Sequence, residues 1–85
     1  MIHGLKTWDE FMMDIATGKK PFEVRKNDRD YQVGDTLLLN GWNQNKETHT
    51  GRVIEAKVTY VLNGGAWGIM DGYVVMGIEV INYNF

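Results

Sequence analysis

The sequence predicts an α+β domain, mainly β, in which one N-terminal helix packs beside a small β-barrel. One helix signal occurs near the start of the chain, and at least four strand-like segments follow it at close spacing. No second helical segment is available to cross over between parallel strands, so the strands are expected to pair antiparallel. So small a sheet hides its edges best by curling into a barrel, although the composition is also compatible with an open sheet.

Length and composition restrict the class of protein. At 85 residues the chain is expected to form a single domain, residues 1–85. An apolar content of 44% indicates a folded protein, and no apolar run reaches membrane-spanning length. The lack of cysteine excludes disulfides and thiolate metal sites, and the N-terminus has no leader-like pattern, so a cytoplasmic location is expected. A formal charge of −2 means that any nucleic-acid contact requires a local positive patch.

The helix is predicted at about residues 7–17. Thr7 and Glu10 have the spacing of a capping box, in which the hydroxyl and the carboxylate satisfy backbone N–H groups at the helix start. Gly18 suits the C-terminal stop. The apolar stripe at helical spacing consists of Trp8, Phe11, Met12 and Ile15. Trp8 is therefore expected in the core.

The strands are predicted from alternating or apolar runs separated by turn residues. In the segment 22–25 apolar and charged residues alternate, which predicts that Phe22 and Val24 face the core. Further strands are expected at 36–40, 52–62 and 73–83, with a polar hairpin loop at 41–51 and a glycine-rich loop at 63–72.

The segment GKKPFEVRKNDR, residues 18–29, holds five of the nine basic residues of this acidic chain. On a strand, Glu23 and Arg25 share a face, and Lys20 precedes them at the strand's start. Converging on a cleft, Arg25 or Lys20 could bind a phosphate, and Glu23 could bind the hydrogen-bonding edge of a base. On spacing alone, the simpler alternative is an ion pair between Glu23 and Arg25 on a sheet surface, with Lys20 solvated.

Three further side chains are candidates for the same cleft. His3 and Lys6 precede the helix, although a lone histidine is more often structural than a general base. Trp67, in the glycine-rich loop, could stack on an unpaired base or fold back over a barrel opening. That loop lacks the G-K-[ST] ending of a phosphate loop, and the two histidines have no carboxylate at ligand spacing. Neither a nucleoside triphosphate at that loop nor a metal is expected.

The segment Gly18–Arg25 fits the pattern G-x-K-x-x-E-x-R, which resembles the signature of ASCH domains in the PUA-like superfamily. The stretches HGLK, FEVRKNDRDYQVGD and GYVVMGIEV also resemble a short uncharacterised family of bacteriophages and prophages. The resemblance implies a small PUA-like barrel with the helix beside it and a cleft lined by the signature segment. Because relatives bind RNA or act on modified nucleosides, it favours a cleft over a surface ion pair.

The similar bacterial acetylcytidine amidohydrolases use the signature lysine, a threonine three positions later, and a glutamate on an additional helix. Lys20 matches that lysine, whereas Glu23 occupies the threonine's position, and the segment between Leu62 and Tyr73 is too short for the additional helix. Lys20 and Glu23 therefore remain catalytic candidates only for a different chemistry, in which Lys20 activates a nucleophile and Glu23 is the acid or base.

The sequence thus predicts an RNA- or nucleotide-binding module without metal or organic cofactor. The predicted cleft residues are Lys20, Glu23, Arg25, His3, Lys6 and Trp67. The alternatives are a nucleoside or RNA hydrolase, and a phage-type protein that binds a host factor and uses the charged cluster only for its fold.

Overall fold

The computed structural model describes all residues from 1 to 85 and contains five strands and one helix. The elements are β1 (Ile2–Trp8), α1 (Asp9–Ala16), β2 (Phe22–Lys26), β3 (Thr36–Asn43), β4 (Thr48–Asn63) and β5 (Tyr73–Asn84). The prediction of a mainly β, α+β fold with one N-terminal helix is confirmed. No helix has the length and apolar character needed to cross a membrane.

All five strands form one curled sheet in the order β1-β3-β4-β5-β2. The pairs β3–β4, β4–β5 and β5–β2 are antiparallel, as expected, but β1 pairs parallel with β3. The expectation of an antiparallel arrangement is corrected in this respect. The chain enters β3 only after passing through α1 and β2, a connection long enough to reverse direction twice.

The curl of the sheet brings its two edge strands, β1 and β2, towards each other. Irregularities in the pairing of β3 with β4 and of β4 with β5 accentuate the twist. No backbone pairing joins β1 to β2. Two side chains bridge them instead: Arg25 donates to the Thr7 hydroxyl at 3.0 Å, and Arg29, which follows β2, donates to the Gly4 carbonyl at 3.1 Å. The result is a half-barrel with an open seam between β1 and β2.

β1 is a strand that the sequence pattern did not indicate. Its inward residues are His3, Leu5 and Thr7, which alternate with exposed neighbours. An inner face with two polar residues out of three does not produce the alternation of apolar and polar residues that marks a half-buried strand. The strand is therefore visible only once its partner β3 is known.

The helix lies where it was expected but begins two residues later. Thr7 is the last inward residue of β1, and its hydroxyl accepts a hydrogen bond from Arg25 instead of capping the helix. The residue before α1 is Trp8, which makes no side-chain capping bond. The capping-box interpretation is therefore wrong, and the first turn keeps only its acidic residues, Asp9 and Glu10, as favourable partners of the helix dipole.

The core lies between α1 and the concave face of the sheet. The helix contributes Met12 and Ile15, both fully buried. The largest fully buried residues that the strands contribute to the core are Leu37, Leu39, Ile54, Met76, Val58 and Val74. Trp8, in contrast, is 51% exposed, so its expected place in the core is corrected.

The short strand β2 has the opposite orientation from the one predicted. Glu23 is only 3% exposed, whereas Phe22 and Val24 are 42% and 52% exposed. The charged residue faces inward because two cations compensate it, and this removes the main cost of taking a carboxylate out of water. Alternation alone cannot tell which of two faces is buried when the polar face carries its own counter-charges.

The remaining strands follow the prediction with longer boundaries. β3 and β4 extend into the segment assigned to a polar loop, so the hairpin turn is reduced to residues 44–47. The glycine-rich loop spans 64–72 between β4 and β5. Simple alternation along residues 52–62 predicts that Tyr60 shares the inner face with Val58. Tyr60 is exposed instead, because the pairing of β4 with β5 shifts register between Val58 and Tyr60.

Candidate functional site

Lys20, which precedes β2, and Glu23 and Arg25 on β2 form one connected cluster. Oε1 of Glu23 accepts a hydrogen bond from Nζ of Lys20 at 3.0 Å, and Oε2 accepts one from Nε of Arg25 at 2.8 Å. The Glu23 side chain is 4% exposed, while those of Lys20 and Arg25 keep 20% and 22% of their surface exposed. The geometry brings the three residues together and includes the ion pair that spacing alone indicated.

Both cations keep N–H groups that no protein atom accepts. Lys20 donates to Glu23 and to the carbonyl of Phe22 at 3.1 Å, and Arg25 donates to Glu23 and to the Thr7 hydroxyl at 3.0 Å. An ammonium has three donors and a guanidinium has five. Each cation is therefore held in one orientation by the protein and still has donors for an external acceptor.

The cluster lies in a cavity of about 360 Å³ at the seam of the half-barrel. We call this cavity the cleft. Its lining residues are Lys6, Thr7, Trp8, Phe11, Lys20, Phe22, Glu23, Val24 and Arg25. Three cations against one carboxylate give it a net positive charge, so the cleft favours an anionic ligand.

One side of the cleft is aromatic. The rings of Trp8 and Phe11 are nearly parallel: the angle between their planes is 2°, and their centroids are 6.4 Å apart. Nζ of Lys20 lies 5.1 Å from the ring centroid of Phe11 and 4.9 Å from that of Phe22. The ammonium is thus positioned by aromatic faces as well as by Glu23, and apolar ring surface lies next to it.

Lys6 reaches the cleft from β1. Its Nζ lies 4.0 Å from the ring centroid of Trp42 on β3, and Trp42 contacts His49 edge to face at 4.9 Å. A cation over an indole face is attracted by the ring electrons. Trp42 is therefore a positioning residue for Lys6 and does not line the cleft itself.

Sequence reasoning missed five residues of the cleft, which are Thr7, Trp8, Phe11, Phe22 and Val24. Phe22 and Val24 were expected in the core instead. The spacing of Trp8 and Phe11 correctly placed the two rings on neighbouring positions. It did not reveal that the sheet leaves that side of the helix uncovered. The only available signal was the proximity of these residues to Lys6, whose exposed ammonium requires a solvent-facing surface.

His3 does not reach the cleft, and its expected role there is corrected. It lies on the inner face of β1 four residues before Thr7, about 13 Å away along the strand. Its side chain is buried, its Nε2 is 2.8 Å from Oδ2 of Asp35, and its ring contacts Tyr31 edge to face at 4.9 Å. His3 is held by Asp35 and Tyr31 at the other end of β1.

Asp35 shows the effect of these partners on its ionisation. The hydrogen bond with His3, together with one from the backbone N–H of Gln32 at 3.0 Å, lowers the pKa of Asp35 to about 2. Nearby, burial raises the pKa of the Tyr31 hydroxyl. This end of the half-barrel is a closed polar cluster that fixes the turn before β3.

Trp67 does not line the cleft either. It lies in the loop between β4 and β5 and is 83% exposed, so it neither enters the cleft nor folds back over the core. Its φ of 60° is a conformation that bulky residues rarely adopt. No group of three or more histidine, aspartate or glutamate side chains with the arrangement of a metal site occurs in the structure.

Comparison with known proteins identifies relatives of the chain. Residues 2–78 match the family model described as "Domain of unknown function (DUF3850)". The chain is also 39% identical over 75 residues to an "Uncharacterized 12.9 kDa protein in GpA 3'region" of Escherichia phage P2. That match covers 88% of this chain and 65% of the phage protein, so the chain spans slightly less than two thirds of its relative.

The similarity to a phage protein agrees with the phage-family resemblance of the sequence motifs. The family match begins in β1 and ends in β5, and so includes every residue that lines the cleft. The chain, with its seam and the charged cluster of β2, belongs to the DUF3850 family.

Proposed function

We propose that the chain is an RNA- or nucleotide-binding module, related to the ASCH domains of the PUA-like superfamily, and that the cleft is its binding site. The observation that carries this proposal is the convergence of Lys20 and Arg25 on the buried carboxylate of Glu23 in a cavity to which both cations still present N–H groups. Glu23 then orients the two cations rather than reading a base, since both of its oxygens are already engaged.

The charge of the cleft supports phosphate as the anchored group. Arg25 presents a planar guanidinium whose remaining N–H groups match two oxygens of a phosphate, and Lys20 adds a point charge. Lys6 brings a third cation from the opposite strand. Hydrogen bonds between charged partners are about twice as strong as neutral ones, so a phosphate gains most from this site.

The size and lining of the cleft support a planar group beside the phosphate. A volume of about 360 Å³ is large enough for a small organic ligand and is near the lower end of the range of about 300–1,000 Å³ for ligand pockets. Exposed ring surface of Trp8, Phe11 and Phe22 is available for contact with a nucleobase. Base–aromatic contact contributes about 1–3 kcal/mol per base and tolerates different bases.

The hydrolase alternative has less support. The only hydroxyl that lines the cleft belongs to Thr7, and it accepts a hydrogen bond from Arg25 without a hydrogen bond to a base. An activated nucleophile requires a base within hydrogen-bonding reach. The carboxylate of Glu23 is held by two cations instead of by Thr7.

A thermal-shift screen tests the proposal. The protein is heated with a panel of nucleosides, nucleoside monophosphates and short single-stranded RNAs. A ligand at about 100 times its Kd stabilises the native state by about 2.7 kcal/mol, which raises the melting temperature by several degrees. We expect phosphorylated members to act more strongly than nucleosides, and the effect to decrease with added salt.

Arg25→Gln should abolish the shift, whereas Lys57→Gln is the matched control because Lys57 is an exposed cation outside the cleft. Absence of a shift with the whole panel would contradict the proposal and leave a protein partner as the remaining function. Release of product from an acylated nucleoside would establish the hydrolase instead.

A further inference from the structure

A second concave surface, which we call the outer groove, lies beside the cleft. It has a volume of about 440 Å³ and is lined by Val24, Gly68, Ile69, Met70, Tyr73 and Val75. The groove is formed by the convex face of β2 and β5 together with the glycine-rich loop 64–72. Val24 lines both the cleft and the outer groove, so the two surfaces are continuous.

The outer groove is apolar and accessible. Val24, Met70 and Tyr73 are all exposed, and only Gly68 among the lining residues is not hydrophobic. This apolar surface is available for contact with an apolar or aromatic group of a ligand. Tyr73 provides the aromatic ring of the groove.

The loop that forms one wall is ordered by its own backbone. The N–H of Gly64 donates to the Tyr73 carbonyl at 2.8 Å, and the N–H of Gly65 donates to the Ile69 carbonyl at 2.9 Å. A side chain at Gly64 would collide with the carbonyl oxygen of Met70. The wall therefore has its own hydrogen bonds without a ligand, which lowers the entropic cost of ordering it on binding.

Trp67 gives an independent indication that this loop makes contacts. Its backbone is in the left-handed region, which is unfavourable for a bulky side chain, yet the ring is almost fully exposed. A tryptophan at this position therefore buries little apolar surface and has an unfavourable backbone conformation. The next residue along the chain, Gly68, lines the outer groove, whereas Trp67 itself does not.

One cation and one acid lie near the outer groove. Lys26 is exposed, lies two residues beyond Val24 on the same face of β2, and is the direct cross-strand partner of Tyr73. The acid of the loop, Asp71, lies next to Gly65. Each of the two concave surfaces thus combines aromatic or apolar area with a cation.

We infer that the ligand is single-stranded RNA of at least two nucleotides, with one base in the cleft and the neighbouring base against Tyr73 in the outer groove. This inference rests on the proposed function. The linking phosphate would pass Val24 towards Lys26. Val24 and Lys26 are alternate residues of β2 and therefore lie about 6.6 Å apart. Neighbouring nucleotides of an extended RNA can span this distance.

Binding of matched mononucleotides and dinucleotides tests the inference. The four nucleoside 5′-monophosphates and the four 5′-phosphorylated homodinucleotides are titrated against wild type, Tyr73→Leu and Tyr73→Phe. For the base that binds best, we expect the dinucleotide to bind wild type at least about tenfold more tightly than the mononucleotide, as a stacked second base would produce. Tyr73→Leu should remove this advantage without changing mononucleotide affinity, and Tyr73→Phe should keep it.

The outcomes separate this inference from the proposed function. Binding of a mononucleotide with no advantage for the dinucleotide, or an advantage that survives Tyr73→Leu, would overturn the inference and leave the cleft proposal intact. No binding of either ligand to wild type would overturn both. If Tyr73→Leu unfolds, Met70→Ser replaces it, since Met70 is exposed in the loop; it should reduce the dinucleotide advantage and not mononucleotide affinity.

Discussion

The half-barrel has two buried carboxylates, Glu23 and Asp35. Both are held by basic groups, but only Glu23 lines the cleft. Each has a side chain that is at most 10% exposed and is held by basic groups. Asp35 bonds His3, the N–H of Gln32 and the terminal amine. Its histidine is as deeply buried as the acid, and neither residue lines the cleft.

Glu23 differs from Asp35 in what its partners leave free. Lys20 and Arg25 keep about a fifth of their side-chain surface exposed and face a cavity of about 360 Å³. A buried acid with basic partners is therefore not sufficient to define a binding site. The site requires cations that are oriented by the acid and still have donors directed at accessible volume.

Removal of the Glu23 carboxylate should have the largest effect. Glu23→Ala leaves two cations partly buried without their counter-charge, which should lower the free energy of unfolding by about 3 kcal/mol, the low end for breaking a buried pair. The low end applies because both cations are partly solvated. Urea unfolding followed by tryptophan fluorescence measures this change.

Glu79→Ala is the control for Glu23→Ala, because Glu79 is an exposed acid on β5. We expect it to change stability by less than about 0.5 kcal/mol. Equal effects of the two substitutions would mean that Glu23 does not organise the cluster.

Neutralisation of Asp35 should destabilise the fold and leave binding unchanged. Asp35→Asn replaces charged hydrogen bonds by neutral ones, at a cost of about 1–2 kcal/mol. Nucleotide affinity should stay within about twofold of wild type, since Asp35 is outside the cleft. Loss of nucleotide binding in a folded Asp35→Asn protein would contradict the account, because it would mean that Asp35 contributes to the binding site as Glu23 does.

The cost of Asp35→Asn should also depend on pH in one direction. The pKa of Asp35 is lowered from 3.8 to about 2 in the folded protein, chiefly by His3. Its contribution to stability is therefore complete above about pH 4 and is lost as the pH falls towards 2. The stability difference between wild type and Asp35→Asn should be large at pH 6 and narrow at pH 2.5. A constant difference would mean that the Asp35 charge is not stabilised by folding.

Loss of the aromatic contact that positions Lys6 should have the smallest effect. Trp42→Leu keeps apolar volume and removes the cation–π contact at 4.0 Å, a contribution of about 0.5–1 kcal/mol. Because Lys6 is then less well positioned, nucleotide affinity should fall by about twofold to fivefold in a direct titration. Trp42→Phe keeps an aromatic face and should bind nearly as well as wild type; an equal loss in both variants would point to a packing role for Trp42 instead.

The elements with strong periodic or turn signals were predictable from sequence. α1, β4, β5 and the loop 64–72 lie close to their expected positions because their residues agree with the local rules. The grouping of Lys20, Glu23 and Arg25 was also predicted, from their spacing together with the family resemblance. The fold class follows from these elements without knowledge of the strand order.

The sequence predictions were wrong for the features that tertiary contacts determine. The inward orientation of Glu23 depends on cations that only the fold brings to it, and alternation in a five-residue strand fits either face. β1 depends on parallel pairing with β3, which has no local signal. Thr7 has the spacing of a helix cap, but Arg25 from the opposite edge of the seam binds its hydroxyl instead.

The most direct test of the cleft is a titration of ¹⁵N-labelled protein with the nucleoside monophosphate panel, followed by amide chemical shifts. A binding cleft at the seam predicts concentration-dependent shifts at Thr7, Trp8 and the β2 residues Glu23 to Arg25, and unchanged resonances around His3 and Asp35. Shifts confined to the His3–Asp35 end, or none at saturating nucleotide, would contradict a binding site between β1 and β2.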